Sequence, residues 1–262
     1  MIILKHEMKM SLKTLMIWSM SVAIMILVFI LMFPGLKDSM SDMANKFSSM
    51  GGFSDAFGLD KLNIGTIMGF YGTEIGTVFA ICGSMFAAII AGSALSKEEE
   101  GHTAEFLFTL PCSRKSVVLQ KGIAVICNVL IFNAICIVIS LISFKIIGED
   151  ILYKEFFSYH LTQLIMQFEI GAVTFAISSF QKNTSVGLGI GFALILYFLD
   201  MIVRIIPNTE ILKYFTPFYY ANAADILSGG KPHLNLIFLG IFVTFLMITI
   251  AFSKYTTKDL KS

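Results

Sequence analysis

The sequence predicts an all-α membrane protein with six transmembrane helices, and three observations predict it. The chain of 262 residues is 56% hydrophobic and 14% charged, with a mean hydropathy of +0.81, whereas soluble domains carry about 25% charged residues. Four runs free of Asp, Glu, Lys and Arg are each long enough to cross a bilayer core, and two further runs carry few charges. The remaining charges gather in the segments between those runs. A surface so short of charge faces something other than water, and the lipid bilayer is the implied surrounding. The net charge of +1 leaves no electrostatic footprint for nucleic acid, so none is expected as a partner.

In chain order, Thr14 to Leu36 is uncharged between Lys13 and Lys37, and Ile75 to Ser96 between Glu74 and Lys97. Gly122 to Phe144 follows, bounded by Lys121 and Lys145. Phe156 to Phe180 is interrupted by Glu169, and Val186 to Ile206 contains Asp200 and Arg204. Pro232 to Ser253 closes the set between Lys231 and Lys254. The expected spans are residues 14–34, 75–95, 122–144, 157–180, 186–206 and 233–253, in a single transmembrane domain over 1–262. The first run is too long for a removable signal peptide, and no small-residue cleavage site precedes Pro34.

An even number of spans puts both termini on one side. Eleven of the 19 Lys and Arg fall on that side, mostly in short segments; the other eight are spread over longer loops. Short basic segments are cytoplasmic ones, so both termini and residues 96–121 are expected in the cytoplasm, with the chain in the plasma membrane of a bacterial cell.

Two segments outside the spans are expected to be helical and to lie along the membrane surface. In Met1 to Lys13, Lys5, Lys9 and Lys13 recur every four residues and share one helix face. This reads either as a short cytoplasmic interfacial helix leading into the first span or as a basic flank that sets topology. In the first outer loop, Met40, Met43, Phe47 and Met50 are helically spaced, and Gly51-Gly52 ends the pattern.

Chemistry-bearing motifs are absent. Cys82, Cys112, Cys127 and Cys136 have no CxxC spacing, so neither a disulfide framework nor a metal site is expected. The chain has no GxxxxGK[ST], HExxH or GxSxG, and its four histidines are scattered. No catalytic, cofactor-binding or metal residue is therefore assigned.

Polar groups inside the spans are the next candidates. His160, Gln163, Gln167, Gly171, Thr174, Ser178 and Gln181 keep to one face of the fourth span. Glu169 lies on the opposite face near mid-membrane, where an ionisable group costs about 2.5–3.5 kcal/mol to insert. These side chains either line a transport path or make helix or subunit contacts through interhelical hydrogen bonds. In the second span Gly76, Ala80, Gly83, Ala87, Ala91 and Ala94 share a face, which lets another helix approach closely. Asp200 and Arg204, at i and i+4, are expected to pair.

The segment Ser96–Lys121, SKEEEGHTAEFLFTLPCSRKSVVLQK, carries the densest charge in the middle of the chain. Ser96 and Glu99 form a possible capping box, with Glu98, Glu99 and Glu100 in the first turn, where the helix dipole favours negative charge. Phe106, Leu107, Phe108 and Leu110 give an apolar side, Pro111 ends the helix, and Ser113 is placed to cap the third span. Glu98-Glu99-Glu100-Gly101, Glu105-Phe106-Leu107 and Leu110-Pro111-Cys112-Ser113-Arg114, followed by Lys121, resemble a known pattern. It belongs to permease subunits of ATP-binding-cassette (ABC) exporters of the type-2 family, and reads roughly E-E-x-G-T-x-E-x-L-L-x-x-P-V-S-R. Thr103 stands two residues after Gly101 rather than next to it, and Cys112 replaces the usual valine. The six spans, the long first outer loop, Gly69-Phe70 and Pro217-Phe218-Tyr219-Tyr220 extend the resemblance over the whole chain.

The resemblance implies that the loop is a coupling helix between spans two and three that fits a groove on an ATPase subunit. Glu98, Glu99, Gly101, Glu105, Leu107, Pro111, Ser113 and Arg114 would carry that coupling. ATP and Mg would reside on the partner ABC ATPase, present in two copies, with a second permease chain completing the pathway and no cofactor on this chain. Leu227-Ser228-Gly229-Gly230-Lys231 looks like part of an ABC signature loop, but reads as a turn before the last span. The expected function is ATP-driven export of an amphipathic or hydrophobic cargo: a drug, a lipid-like compound or an antimicrobial peptide. Two other classes remain open: an ion-coupled carrier or channel using Glu169, and a membrane scaffold or sensor that does not transport.

Overall fold

The computed structural model describes residues 2–48, 51–103 and 113–258. The elements run α1 (Ile2–Ser48), α2 (Gly52–Phe57), α3 (Ile67–Ser93), α4 (Lys97–Glu100), α5 (Arg114–Ile147), α6 (Tyr153–Phe180), α7 (Val186–Ile205), a 3₁₀ turn (Glu210–Tyr214), α8 (Ala223–Leu227) and α9 (Leu234–Thr257). No strand occurs among the described residues. Helices α1, α3, α5, α6, α7 and α9 are each long and apolar enough to cross a membrane, and each covers most or all of one of the six runs.

The helices alternate in direction. Contacts at one end join residues near 4, 97, 120, 184 and 258, and this is called the terminal end below. Contacts at the far end include Lys37 with Glu149 at 2.6 Å and Lys61 with Asp225 at 2.7 Å. Helices α3 and α6 occupy the centre: 61% of each span is buried, against 22–39% for the other four. Helix α1 packs along α5, α9 along α6, and α7 along α3.

The α3–α6 contact follows from two stripes legible in the sequence. The small face of α3 meets the polar face of α6. A Cβ added at Gly83 would collide with the Gln167 amide, and one at Gly171 would touch Ala87 and Ala91 at 3.9 Å. Tyr159 donates from its hydroxyl to the Gly76 carbonyl at 2.9 Å. Beside this seam Tyr71 is fully buried, with its hydroxyl 3.1 Å from Ser140 Oγ and 2.9 Å from His160 Nε2. The rings of Phe144, Phe156 and Tyr159 surround it at centroid distances of 5.3–6.4 Å.

Three expectations about helix ends are corrected. The basic N-terminal segment runs into the first span as expected, but Met40, Met43 and Phe47 continue that same helix and do not form one of their own. Residues 2–48 form one helix of 47 residues, which continues through Pro34. At about 1.5 Å per residue it is roughly 70 Å long, more than twice a bilayer core. It packs inward through Ile3 and Glu7 and leaves Lys5, Lys9 and Lys13 exposed, so the shared lysine face is observed. Second, α3 starts at Ile67, capped by Thr66, whose hydroxyl accepts from the Gly69 amide at 3.1 Å. Glu74 does not stop the helix, because its side chain points outward from a π-helical turn, Tyr71–Gly76. Third, α5 begins at Arg114, well before Gly122. Ser113 is its cap and accepts from the Ser116 amide at 3.2 Å, as expected.

Candidate functional site

A dense polar cluster lies at the terminal end, around the short helix α4. Each of its four residues reaches a different part of the bundle. Lys97 pairs with Glu7 of α1. Glu98 accepts from Lys121 of α5 at 2.5 Å. Glu99 accepts from Lys258, just past α9, at 2.8 Å. Glu100 accepts from the backbone amide of Thr184, in the α6–α7 link, at 3.0 Å and from the Thr184 hydroxyl. These hydrogen bonds hold the exposed Glu100 carboxyl below its ordinary pKa.

Lys121 is the centre of this hub. Its side chain is 0% exposed, and its ammonium donates to Glu7 Oε1 at 3.0 Å, Glu98 Oε1 at 2.5 Å and the Ala94 carbonyl at 2.6 Å. Three donors meet three acceptors, so the buried charge is both paired and hydrogen-bonded, as burial requires. Lys258 also donates to the Gln181 carbonyl at 2.7 Å. Arg114 donates to the Lys258 carbonyl at 2.5 Å, so the start of α5 holds the end of α9. A cleft of about 250 Å³ opens beside the hub between α1, α3 and α5, with Glu7, Lys97 and Lys121 in its lining.

Of the residues assigned to coupling, Glu98 and Glu99 are turned into the protein and paired there; Ser113 and Arg114 fix the start of α5. Gly101 closes α4 through its amide to the Lys97 carbonyl at 2.9 Å, and a Cβ there would press on that same oxygen at 3.2 Å. Glu105, Leu107 and Pro111 lie outside the described residues. The capping box at Ser96 does not form. Ser96 keeps near-helical dihedrals, φ −98° and ψ −19°, instead of the extended conformation that aims a cap hydroxyl at the following amides. Its hydroxyl is buried with no hydrogen-bond partner among the described residues.

The polar stripe of α6 is buried inside the bundle. His160, Gln163, Gln167, Thr174 and Ser178 are each at most 2% exposed. Gln163 donates to the Ala221 carbonyl at 2.7 Å, and Gln167 accepts from Asn133 at 2.6 Å. Thr174 and Ser178 bond back to carbonyls of their own helix. Glu169 faces the other way, toward α9. It accepts from the Tyr220 hydroxyl at 2.8 Å and fills the space beside Gly240.

The sequence reading missed Glu7, Lys258 and Thr184 as members of the hub, and Tyr220 as the partner of Glu169. Glu7 was the most readable of these. It is the only acid before Asp38, and it follows Ile3 by one helical step of four on the face away from the lysines. Comparison with curated proteins gives no match. A protein-family model described as ABC-2 family transporter protein matches residues 1–260. The chain therefore belongs to the ABC-2 transporter family and is a multi-pass permease component of an ABC transporter.

Proposed function

We propose that this chain is the permease subunit of an ATP-driven exporter in which two permease chains, identical or homologous, assemble with two ABC ATPase subunits. ATP and Mg bind the ATPase, and this chain carries no catalytic group. Both termini and residues 96–121 lie in the cytoplasm, and the chain sits in a bacterial plasma membrane. The cargo is amphipathic or hydrophobic: a drug, a lipid-like compound or an antimicrobial peptide. The spans offer few charges to a polar solute.

The observation that carries this reading is the connectivity of α4. The segment assigned to coupling begins with four consecutive residues tied to α1, α5, the end of α9 and the α6–α7 link. A displacement of residues 101–113 by the ATPase would act on all of these elements at once. In this reading Glu98 and Glu99 transmit the movement, while Glu105, Leu107 and Pro111 form the docking surface. Glu169, held by Tyr220 and set against Gly240, serves as a helix contact.

The test is co-expression with an ABC ATPase, reconstitution in liposomes and measurement of ATP-dependent cargo movement. Glu99→Gln is expected to leave ATPase binding intact and to lower transport per ATP hydrolysed, because it weakens the ion pair from α4 to Lys258. Wild-type coupling in that variant would remove the transmission role. Failure of the wild-type pair to co-purify would remove the exporter reading.

Orientation is tested by cysteine accessibility in intact cells, in a background lacking native cysteines. Ser113→Cys is expected to react only after permeabilisation, whereas Asp60→Cys, Asp150→Cys and Ser228→Cys react from outside. All four positions are exposed in the structure; Ser54, in the same outer segment as Asp60, is 1% exposed and unsuited as a probe. Opposite labelling of positions 60 and 228 would exclude the even number of crossings between them.

A further inference from the structure

An apolar groove on the surface is separate from the hub. A groove of about 370 Å³ opens sideways between α5, α6 and α9, in the half of the bundle toward the terminal end. Its walls include Leu119, Gly122 and Ile126 of α5, Phe175 of α6, and Phe245 and Phe252 of α9. The two polar side chains at its edge are turned to other partners. Gln167 bonds Asn133, and Thr244 donates to the Gly240 carbonyl at 2.9 Å. The groove is lined almost wholly by apolar side chains, so at bilayer depth a hydrocarbon chain is the occupant its chemistry fits.

One end of the groove carries a charge. Lys115, Leu119, Gly122 and Ile126 follow one another at spacings of four, three and four, so they share one face of α5. Lys115 therefore sits one turn beyond the groove's last wall residue, at its mouth. It is exposed and has no ion-pair partner among the described residues. An apolar slot with a lysine at the water-facing end matches an acyl chain joined to an anionic headgroup.

We propose that this groove is a binding site for one acyl chain of an anionic phospholipid, with the headgroup phosphate on Lys115. The site lies in the leaflet on the side of the termini. It uses none of the hub side chains, yet two of its walls are the helices that Arg114 holds together at the Lys258 carbonyl. A bound lipid would thus fix the spacing of α5 and α9 from the membrane side, as the hub does from the aqueous side.

Gly122 supplies the test. A Cβ added there meets only Phe175 Cζ, at 3.9 Å, so a larger side chain can enter the groove without clashing with backbone. The purified full chain, stripped of lipid in detergent, is titrated with dioleoyl phosphatidylglycerol or dioleoyl phosphatidylcholine. Bound lipid is counted by native mass spectrometry and Tm is followed. The wild type is expected to retain phosphatidylglycerol in preference to phosphatidylcholine and to gain Tm saturably. Gly122→Phe should weaken binding of both lipids at least roughly tenfold, since several buried methylenes lose their place. Lys115→Gln should keep both lipids but reduce the preference for phosphatidylglycerol roughly fivefold. Gly191→Phe on α7, where an added Cβ meets nothing within 4 Å, is the control and should bind as wild type.

Lipid binding unchanged by Gly122→Phe would overturn the placement. Equal retention of the two lipids by the wild type would overturn the headgroup contact. A Gly122→Phe variant that changes oligomeric size without changing lipid count would assign the groove to a second copy of the chain instead. None of these outcomes depends on cargo, orientation or the ATPase.

Discussion

Lys121→Ala is expected to lower the thermal stability of the permease sharply and to abolish ATP-driven transport. The ammonium is fully buried and bridges Glu7, Glu98 and the Ala94 carbonyl. Its removal leaves the Glu98 carboxylate without the ammonium it faces, and among the described residues Glu7 then pairs with Lys97 alone. Breaking a buried ion pair by deleting one member costs about 3–5 kcal/mol, because the other charge stays buried without compensation. That is a large fraction of the stability of an ordinary domain. The measurement is thermal unfolding in detergent, paired with transport by the reconstituted complex. A second variant, Lys121→Ala with Glu98→Gln, removes the stranded charge as well and should regain part of the lost Tm. It should not regain transport, since α4 is still detached from α5. A single variant with wild-type Tm would show that the hub is not a structural pin. A double variant with restored transport would show that the hub stabilises the fold without transmitting movement.

The fold was legible wherever a single helix contained its own signal. The six apolar runs needed only length and charge, and the Ser113 cap and the lysine face of α1 needed only local spacing. The small stripe of α3 was legible as a packing face for the same reason. Helix ends were less legible, because a charge marks the end of an apolar run and not the end of a helix. Glu74 points outward from a π-turn and α3 continues beneath it; Lys37 reaches Glu149 while α1 continues past it. The polar stripe of α6 showed one face but not what that face meets. A stripe that lines a path and a stripe that packs against glycines have the same period.

The site was only half legible. The acidic run stood out as a cluster, and an acidic cluster between two spans reads naturally as a surface for a partner. Its partners inside the chain are distant in sequence. Lys97 and Glu7 are 90 residues apart, Glu99 and Lys258 are 159 apart, and Glu100 and Thr184 are 84 apart. No local pattern encodes such pairs. Only Glu98 and Lys121, 23 residues apart at the two ends of one loop, lay within one motif. Burial then decides the roles. A carboxylate that meets a buried ammonium from its own chain holds helices together.

Arg204→Ala is expected to have a comparable effect at the opposite end of the bundle. Arg204 donates to Asp200 Oδ2 at 3.0 Å, Asp225 Oδ2 at 3.3 Å and the Tyr219 carbonyl at 3.3 Å. Lys61 meets the other oxygen of Asp225 at 2.7 Å. The four side chains join α7, α8 and the segment after α2 into one neutral network, and Asp200 is only 4% exposed. Truncating Arg204 leaves Asp200 buried with its charge unopposed, which again costs about 3–5 kcal/mol. Arg204→Lys should recover less than the retained charge suggests, because a point ammonium cannot serve two carboxylates and a carbonyl in the fixed geometry of the guanidinium. Asp225 adds a pH signature. Burial alone would raise its carboxyl, but Arg204 and Lys61 outweigh burial and hold it below the ordinary value. A depressed carboxylate contributes stability that is full above its unfolded pKa, near 3.9, and is lost as pH falls through the lower folded value. The wild type should therefore lose this part of its stability only in strong acid. Arg204→Ala removes the strongest Coulombic attraction on Asp225, so its stability should start to fall at a higher pH. Thermal unfolding from pH 7 down to pH 3 distinguishes the cases. Parallel curves for wild type and variant would mean that Arg204 does not set the charge state of this end of the protein.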